Sequence, residues 1–148
     1  MIRPLQPRDL QQLPPLWAAS QSGARAADLQ RIAEDAVRGP GAEHQALATD
    51  DGAAVSGAVL FRSVAGAVGT GEIEAVAAED PVVARDLIEA AVERLRTGGA
   101  RLIVAEYADT PGAAGYAGLL AAAGFGVKAR IGDYFGDGVP LVIAVRDA

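Results

Sequence analysis

The sequence predicts a single α/β (α+β) domain. Its mixed sheet has antiparallel strands in the N-terminal half, a βαβ crossover at the centre, and a C-terminal helix and hairpin. Three observations carry this. GEIEAVAAEDPVVARDLIEAAVERLRTGGARLIVAE, residues 71–106, reads strand, helix, strand. Asp50–Asp51–Gly52 stands between two apolar runs, as a hairpin turn does. The runs Val127–Ile131 and Leu141–Val145 are joined by GDYFGDGVP and close the chain as a second strand pair.

Taken in order, Ile2 to Leu5 is short and apolar and predicts a first strand. Arg8 to Ser20 carries Leu10, Leu13, Leu16 and Trp17 at near-helical spacing, but Pro14–Pro15 must kink or split any helix there. Ala24 to Val37 predicts a second helix, with Leu29, Ile32, Ala33, Ala36 and Val37 on one stripe and Gly39–Pro40–Gly41 ending it. Strands follow at His44–Thr49 and Ala53–Phe61, and a glycine-rich link, Gly66 to Gly71, leads to the central strand. Glu72 to Ala77 alternates polar and apolar residues, which places Glu72 and Glu74 on one side. Asp80 is an N-cap oxygen and Pro81 suits the first helical position. Behind them Ala84, Leu87, Ile88, Ala91, Val92 and Leu95 form one apolar stripe, closed by Gly98–Gly99. Leu102 to Ala105 is an unbroken apolar run and predicts a strand buried on both faces. Asp109–Thr110–Pro111 opens a helix in which Tyr116, Leu119, Leu120 and Ala123 share a face, and Gly124 stops it. The expected order is β α α β β β α β α β β, one domain over residues 1–148.

Composition narrows the function. The chain has 148 residues, 51% of them hydrophobic, and no apolar run near the roughly 20 residues of a membrane span. MIRPLQPRDL lacks the apolar stretch of a secretory signal, so a cytoplasmic protein is expected. There is no cysteine and one histidine, His44, which makes a transition-metal site improbable; His44 reads as a surface strand residue. A net charge of −6 argues against nucleic-acid phosphates and suits an amine. Gly66, Gly69 and Gly71 precede a strand, so they form no nucleotide-binding motif.

Three segments together resemble the GNAT-type N-acetyltransferase superfamily: IRPLQPRDLQQL at the start, VAEYADTPGAAGYAGLLAAAGF with its Gly124–Phe125 pair, and ARIGDYFGDGVPLVIAVRD at the end. The resemblance implies acetyl-CoA as co-substrate at the mouth of the βαβ unit. Its pantetheine arm would follow the strand edge of Glu74, Ala75, Val76, Ala77 and Ala78. Its pyrophosphate would sit on the helix start at Val82, Val83, Ala84 and Arg85. The sequence departs from the family there: AAEDPVVARD has no glycine, Pro81 removes a donor, and Glu79 and Asp80 are negative, with Arg85 as the offsetting cation. The family's tyrosine, four residues before the glycine of the Gly-Phe pair, is Leu120 here, and Tyr116 lies one turn earlier. By the resemblance, Glu74 is the candidate base and Tyr116 the candidate acid for the leaving thiolate, while Trp17, Glu106 and Tyr134 are acceptor-site candidates.

Each has a plainer reading beside it. Glu72 and Glu74 also fit a solvated strand face, and Tyr116 fits a structural hydrogen bond. Trp17 fits the core, Glu106 a backbone contact, and Tyr134–Phe135 loop packing. The expected activity is acetyl transfer from acetyl-CoA to an amine of a small molecule or peptide. The partners are that amine and, as a candidate, a second copy of the chain, with no nucleic acid or membrane. The alternative is a non-catalytic module of the same fold, for ligands or protein partners, that has lost acetyl-CoA binding.

Overall fold

The computed structural model describes residues 1–20 and 24–148. Its strands are β1 (Ile2–Pro4), β2 (Gln45–Asp50), β3 (Val55–Ser63), β4 (Thr70–Ala78), β5 (Leu102–Ala108), β6 (Gly126–Ile131) and β7 (Leu141–Asp147). Its α-helices are α1 (Pro14–Ala19), α2 (Ala26–Ala36), α3 (Pro81–Thr97) and α4 (Ala114–Ala122). The strands form one seven-stranded sheet in the order β1-β2-β3-β4-β5-β7-β6. All neighbours are antiparallel except β4 and β5, which the α3 crossover joins in parallel. The mixed sheet and its element order are those the sequence predicts.

Local chemistry explains most boundaries. The Asp80 carboxylate accepts the Val82 N–H at 2.9 Å and Pro81 starts α3. Pro14–Pro15 divides the first helical region into a 3-10 turn over Pro7–Gln12 and the short α1. α3 buries Ala84, Leu87, Ile88, Ala91, Val92 and Leu95 against the sheet. Its four large side chains alone contribute on the order of 8 kcal/mol of apolar burial. The approach is close because two strand positions lack a Cβ: one added at Gly57 would stand 2.9 Å from Leu87 Cδ1, and one at Gly71 would stand 2.7 Å from Leu95 Cδ1.

Two cores result. On one face, α3 and α4 pack on Val59, Ile73, Val76 and Ile103; on the other, the N-terminal helices pack on Ala58, Leu60, Ala75 and Ala77. One strand differs from expectation. Within β5, Ile103 and Ala105 are buried but Leu102 and Val104 are only partly so. The expected burial on both faces fails because the N-terminal helices cover β2–β4 and stop short of β5.

The feature that positions the site is a bulge. Leu60 pairs with Ala75 and Phe61 with Ile73, so Glu74 is the extra residue on β4. A bulge bends its strand and reverses the facing of the residues beyond it: Ile73 and Val76 share one core, whereas Ala75 and Ala77 enter the other. The β4–β5 ladder ends at the same place, Ile73 opposite Ala105. Beyond it Glu106, Tyr107 and Ala108 pair with β7 alone, and the two parallel strands diverge.

Candidate active site

Divergence of β4 from β5 leaves the β5-facing edge of Glu74–Ala78 without a ladder partner, and a cavity of about 160 Å³ opens beside it. Val76, Ala77 and Ala78 form one wall; Pro81 and Ala84 of α3, and Gly115, Tyr116 and Leu119 of α4, form the others. Ser20 closes one side, where its hydroxyl donates to the Val76 carbonyl at 3.5 Å. Tyr116 is 2% exposed, and its ring meets Tyr107 edge-on with centroids 5.9 Å apart. Its hydroxyl is the buried side-chain polar atom that has no hydrogen-bond partner among the described residues. Leaving such a group unmatched costs about 1–3 kcal/mol, which a ligand in the cavity would recover. Burial, and then the charges of Glu72 and Glu74, push its pKa well above the usual tyrosine value.

A second cavity, of about 390 Å³, lies across the strand opening, between α2, the middle of β4 and the C-terminal end of β5. Glu72, Glu74 and Glu106 line it, with Asp28 on the α2 side and Phe135 from the β6–β7 loop. Around the carboxylates runs a nearly closed network. Glu74 Oε2 stands 2.7 Å from His44 Nδ1, and Arg62 Nε donates to Glu72 at 2.9 Å and lies 3.7 Å from Glu74 Oε1. Arg62 also donates to Glu43 at 2.8 Å, and the Asp35 carboxylate accepts the backbone N–H of His44 at 3.0 Å. Glu74 is 11% exposed at its side chain. Burial raises its pKa above the usual carboxylate value, and the His44 hydrogen bond opposes the rise. Burial, with the charge of Glu72 added, also raises the pKa of Glu106.

The structure thus brings Glu74 and Tyr116 to opposite sides of one strand opening, with Glu106 on the Glu74 side. Several expectations are corrected. Trp17 is 2% exposed and its indole N–H is taken by Gln30 at 2.8 Å, so it is a core residue without a face to offer an acceptor. Tyr134 is 59% exposed, and its neighbour Phe135 is the aromatic side chain that lines the acidic cavity. Arg85 stands in the adjoining groove with Gly118 and Ala122 rather than in the cleft beside β4. Glu72 and Glu74 do not form a solvated face, since α2 and the His44–Arg62 network cover them. His44 precedes β2 instead of lying on a strand surface, and only 16% of its side chain is exposed. It is the residue that sequence reasoning missed. Thirty positions separate it from Glu74, and a lone histidine carries no spacing signal; its uniqueness in an acidic chain was the one available clue.

The start of α3 fits a pyrophosphate poorly. Pro81 has no N–H, and the Val82 N–H is held by the Asp80 carboxylate. The Val83 N–H has no such partner among the described residues, and it follows the carboxylate-bearing pair Glu79–Asp80 in the chain. The cleft below, with its open strand edge and unmatched Tyr116 hydroxyl, fits the arm of such a molecule. Among the described residues no group of His, Asp and Glu is arranged to hold a metal ion, and no helix is long and apolar enough to cross a membrane.

No protein-family model and no curated protein matches the chain. Solved structures do. A GNAT-family protein of Desulfovibrio desulfuricans superposes with a TM-score of 0.89 at 18% identity, over 99% of this chain and 98% of that one. yncA of Salmonella typhimurium, solved with its cofactor acetyl-CoA, gives 0.74 at 19%, over 99% and 92%. The ribosomal-protein-alanine N-acetyltransferase of Brucella melitensis gives 0.75 at 16%, over 100% and 99%. The chain therefore has the GNAT acetyltransferase fold.

Proposed function

We propose that this chain is an N-acyltransferase that passes an acetyl group from a thioester donor of the acetyl-CoA type to an amine of a small molecule or peptide. The observation that supports it most is the opening at the Glu74 bulge, with a buried carboxylate on one side and an unmatched hydroxyl on the other. The thioester supplies an activated carbonyl and a thiolate leaving group. Backbone groups of β4 beyond the end of its ladder with β5 align the donor arm and polarise that carbonyl. Glu74 takes the proton of the acceptor ammonium, directly or through one water; its raised pKa makes it a better base than an exposed carboxylate. The C–N bond then forms and the C–S bond breaks. Tyr116 stays a phenol at any working pH, so it steadies the departing thiolate by a hydrogen bond, and the thiolate draws its proton from the attacking nitrogen. His44 and Arg62 hold Glu74 in place. Glu72 and Glu106 give the acceptor side a negative field that favours a cation. The Brucella protein's name, an alanine N-acetyltransferase, agrees with an amine acceptor.

The test is thiol release from acetyl thioesters in the presence of a panel of primary amines. Amine-dependent release that disappears in Glu74→Gln supports the reading; release that ignores both the amine and the substitution overturns it. The α3 start, with its Pro81 and Val82 donors removed, favours a second reading, a non-catalytic module of this fold. Absence of any thioester binding at millimolar concentration would select it.

A further inference from the structure

The two halves of the donor cleft disagree, and the disagreement itself specifies a ligand. We propose that the cleft reads a donor by its pantetheine arm and thioester alone and discriminates against a diphosphate, so that an uncharged acyl-pantetheine thioester is bound at least as well as the acyl-CoA. This rests on the acyltransferase reading and sharpens its donor. The lower half is built for a neutral, amide-bearing chain: a β4 edge without a ladder partner beyond Ile73, the uncharged side chains of Val76, Ala77 and Ala78, and the Tyr116 hydroxyl without a partner. A bound arm satisfies those backbone groups as a further strand would.

The upper half is poor in the elements of an anion site. A helix start attracts phosphate through N–H groups left free in its first turn. In α3 one is absent at Pro81, and the Asp80 carboxylate occupies a second, at Val82. That carboxylate already neutralises the helix end a diphosphate would use. Glu79 adds a second negative charge beside the cleft. Arg85, in the adjoining groove, offsets one of the two and is followed at once by Asp86. The local balance remains negative in a chain of net charge −6. A diphosphate therefore meets net repulsion with two of the helix's first-turn donors removed.

Calorimetry on the intact protein with three probes tests this: acetyl-pantetheine, acetyl-CoA and ADP. The expected result is an acetyl-pantetheine Kd equal to or below that of acetyl-CoA, no saturable ADP binding at millimolar concentration, and acetyl-CoA binding that tightens as salt screens the carboxylates. Glu79→Gln with Asp80→Asn, which keeps an oxygen at the N-cap, should tighten acetyl-CoA about tenfold and leave acetyl-pantetheine unchanged. An acetyl-CoA Kd below that of acetyl-pantetheine, saturable ADP binding, or a double variant that shifts both thioesters equally overturns the proposal. Binding of neither thioester defeats the acyltransferase reading on which it stands, an outcome distinct from those three.

Discussion

The two cavities that meet at the bulge of β4 are built in opposite ways. On the acidic side the protein has matched its own polar groups: Glu74 with His44, Glu72 with Arg62, and Arg62 again with Glu43. On the donor side it has left them open, with a strand edge that lacks its ladder and a buried tyrosine hydroxyl that lacks a partner. A group that must hold one protonation state and position before a reaction is best fixed by the protein itself. A group that is to grip a ligand is best left for the ligand to complete. The contrast is the one the proposed roles require, a base on the matched side and a donor grip on the open one.

Glu74→Gln should break the matched side most severely. Amine-dependent kcat/KM is expected to fall about 10²- to 10³-fold, with thioester affinity unchanged by calorimetry; retention of activity within about threefold would remove Glu74 as the base. Tyr116→Phe sharpens the open side. Loss of one hydrogen bond to the thiolate should cost kcat about tenfold, yet thermal unfolding should show an unchanged or higher Tm, since the hydroxyl has no partner in the folded chain. A clear drop in Tm would instead reveal a structural bond. His44→Ala leaves Glu74 buried without the hydrogen bond that holds its pKa down. The acid limb of the kcat/KM profile should then move to higher pH, with activity at neutral pH down about three- to tenfold; a parallel loss at all pH values would assign His44 a packing role.

The smallest effect is on stability. Because the folded-state pKa of Glu74 lies above its unfolded value, its contribution is fully present below the unfolded pKa and is lost as pH rises through the folded one. Chemical denaturation of the wild type should show that decline, and Glu74→Gln should be flatter across the same window. An equal slope in both would place the titration elsewhere.

Periodicity and punctuation made the crossover legible. The α3 stripe, its Asp80–Pro81 start and the turn at Asp50–Asp51–Gly52 are local, and a helix cap or a 3.6-residue stripe is complete within the residues that show it. The β4 alternation likewise put Glu72 and Glu74 on one side, and the segment around Gly124–Phe125 led to Tyr116. The bulge at Glu74 was not legible, because it is a mismatch of register with β3 and exists only once both strands are paired. The burial of Trp17 depended on Gln30, 13 positions away. The shielding of Glu74 depended on α2 and on a histidine that two other strands bring to it.

By itself, then, the sequence determined the order of elements, the faces each helix buries, and an α3 start formed by Asp80 and Pro81. These come from backbone sterics and nearest-neighbour chemistry. Tertiary structure alone decided which carboxylate is buried, which histidine meets it, and where β4 parts from β5. Those depend on desolvation and on contacts between residues tens of positions apart, which are set only when the sheet closes and water is excluded from its two faces.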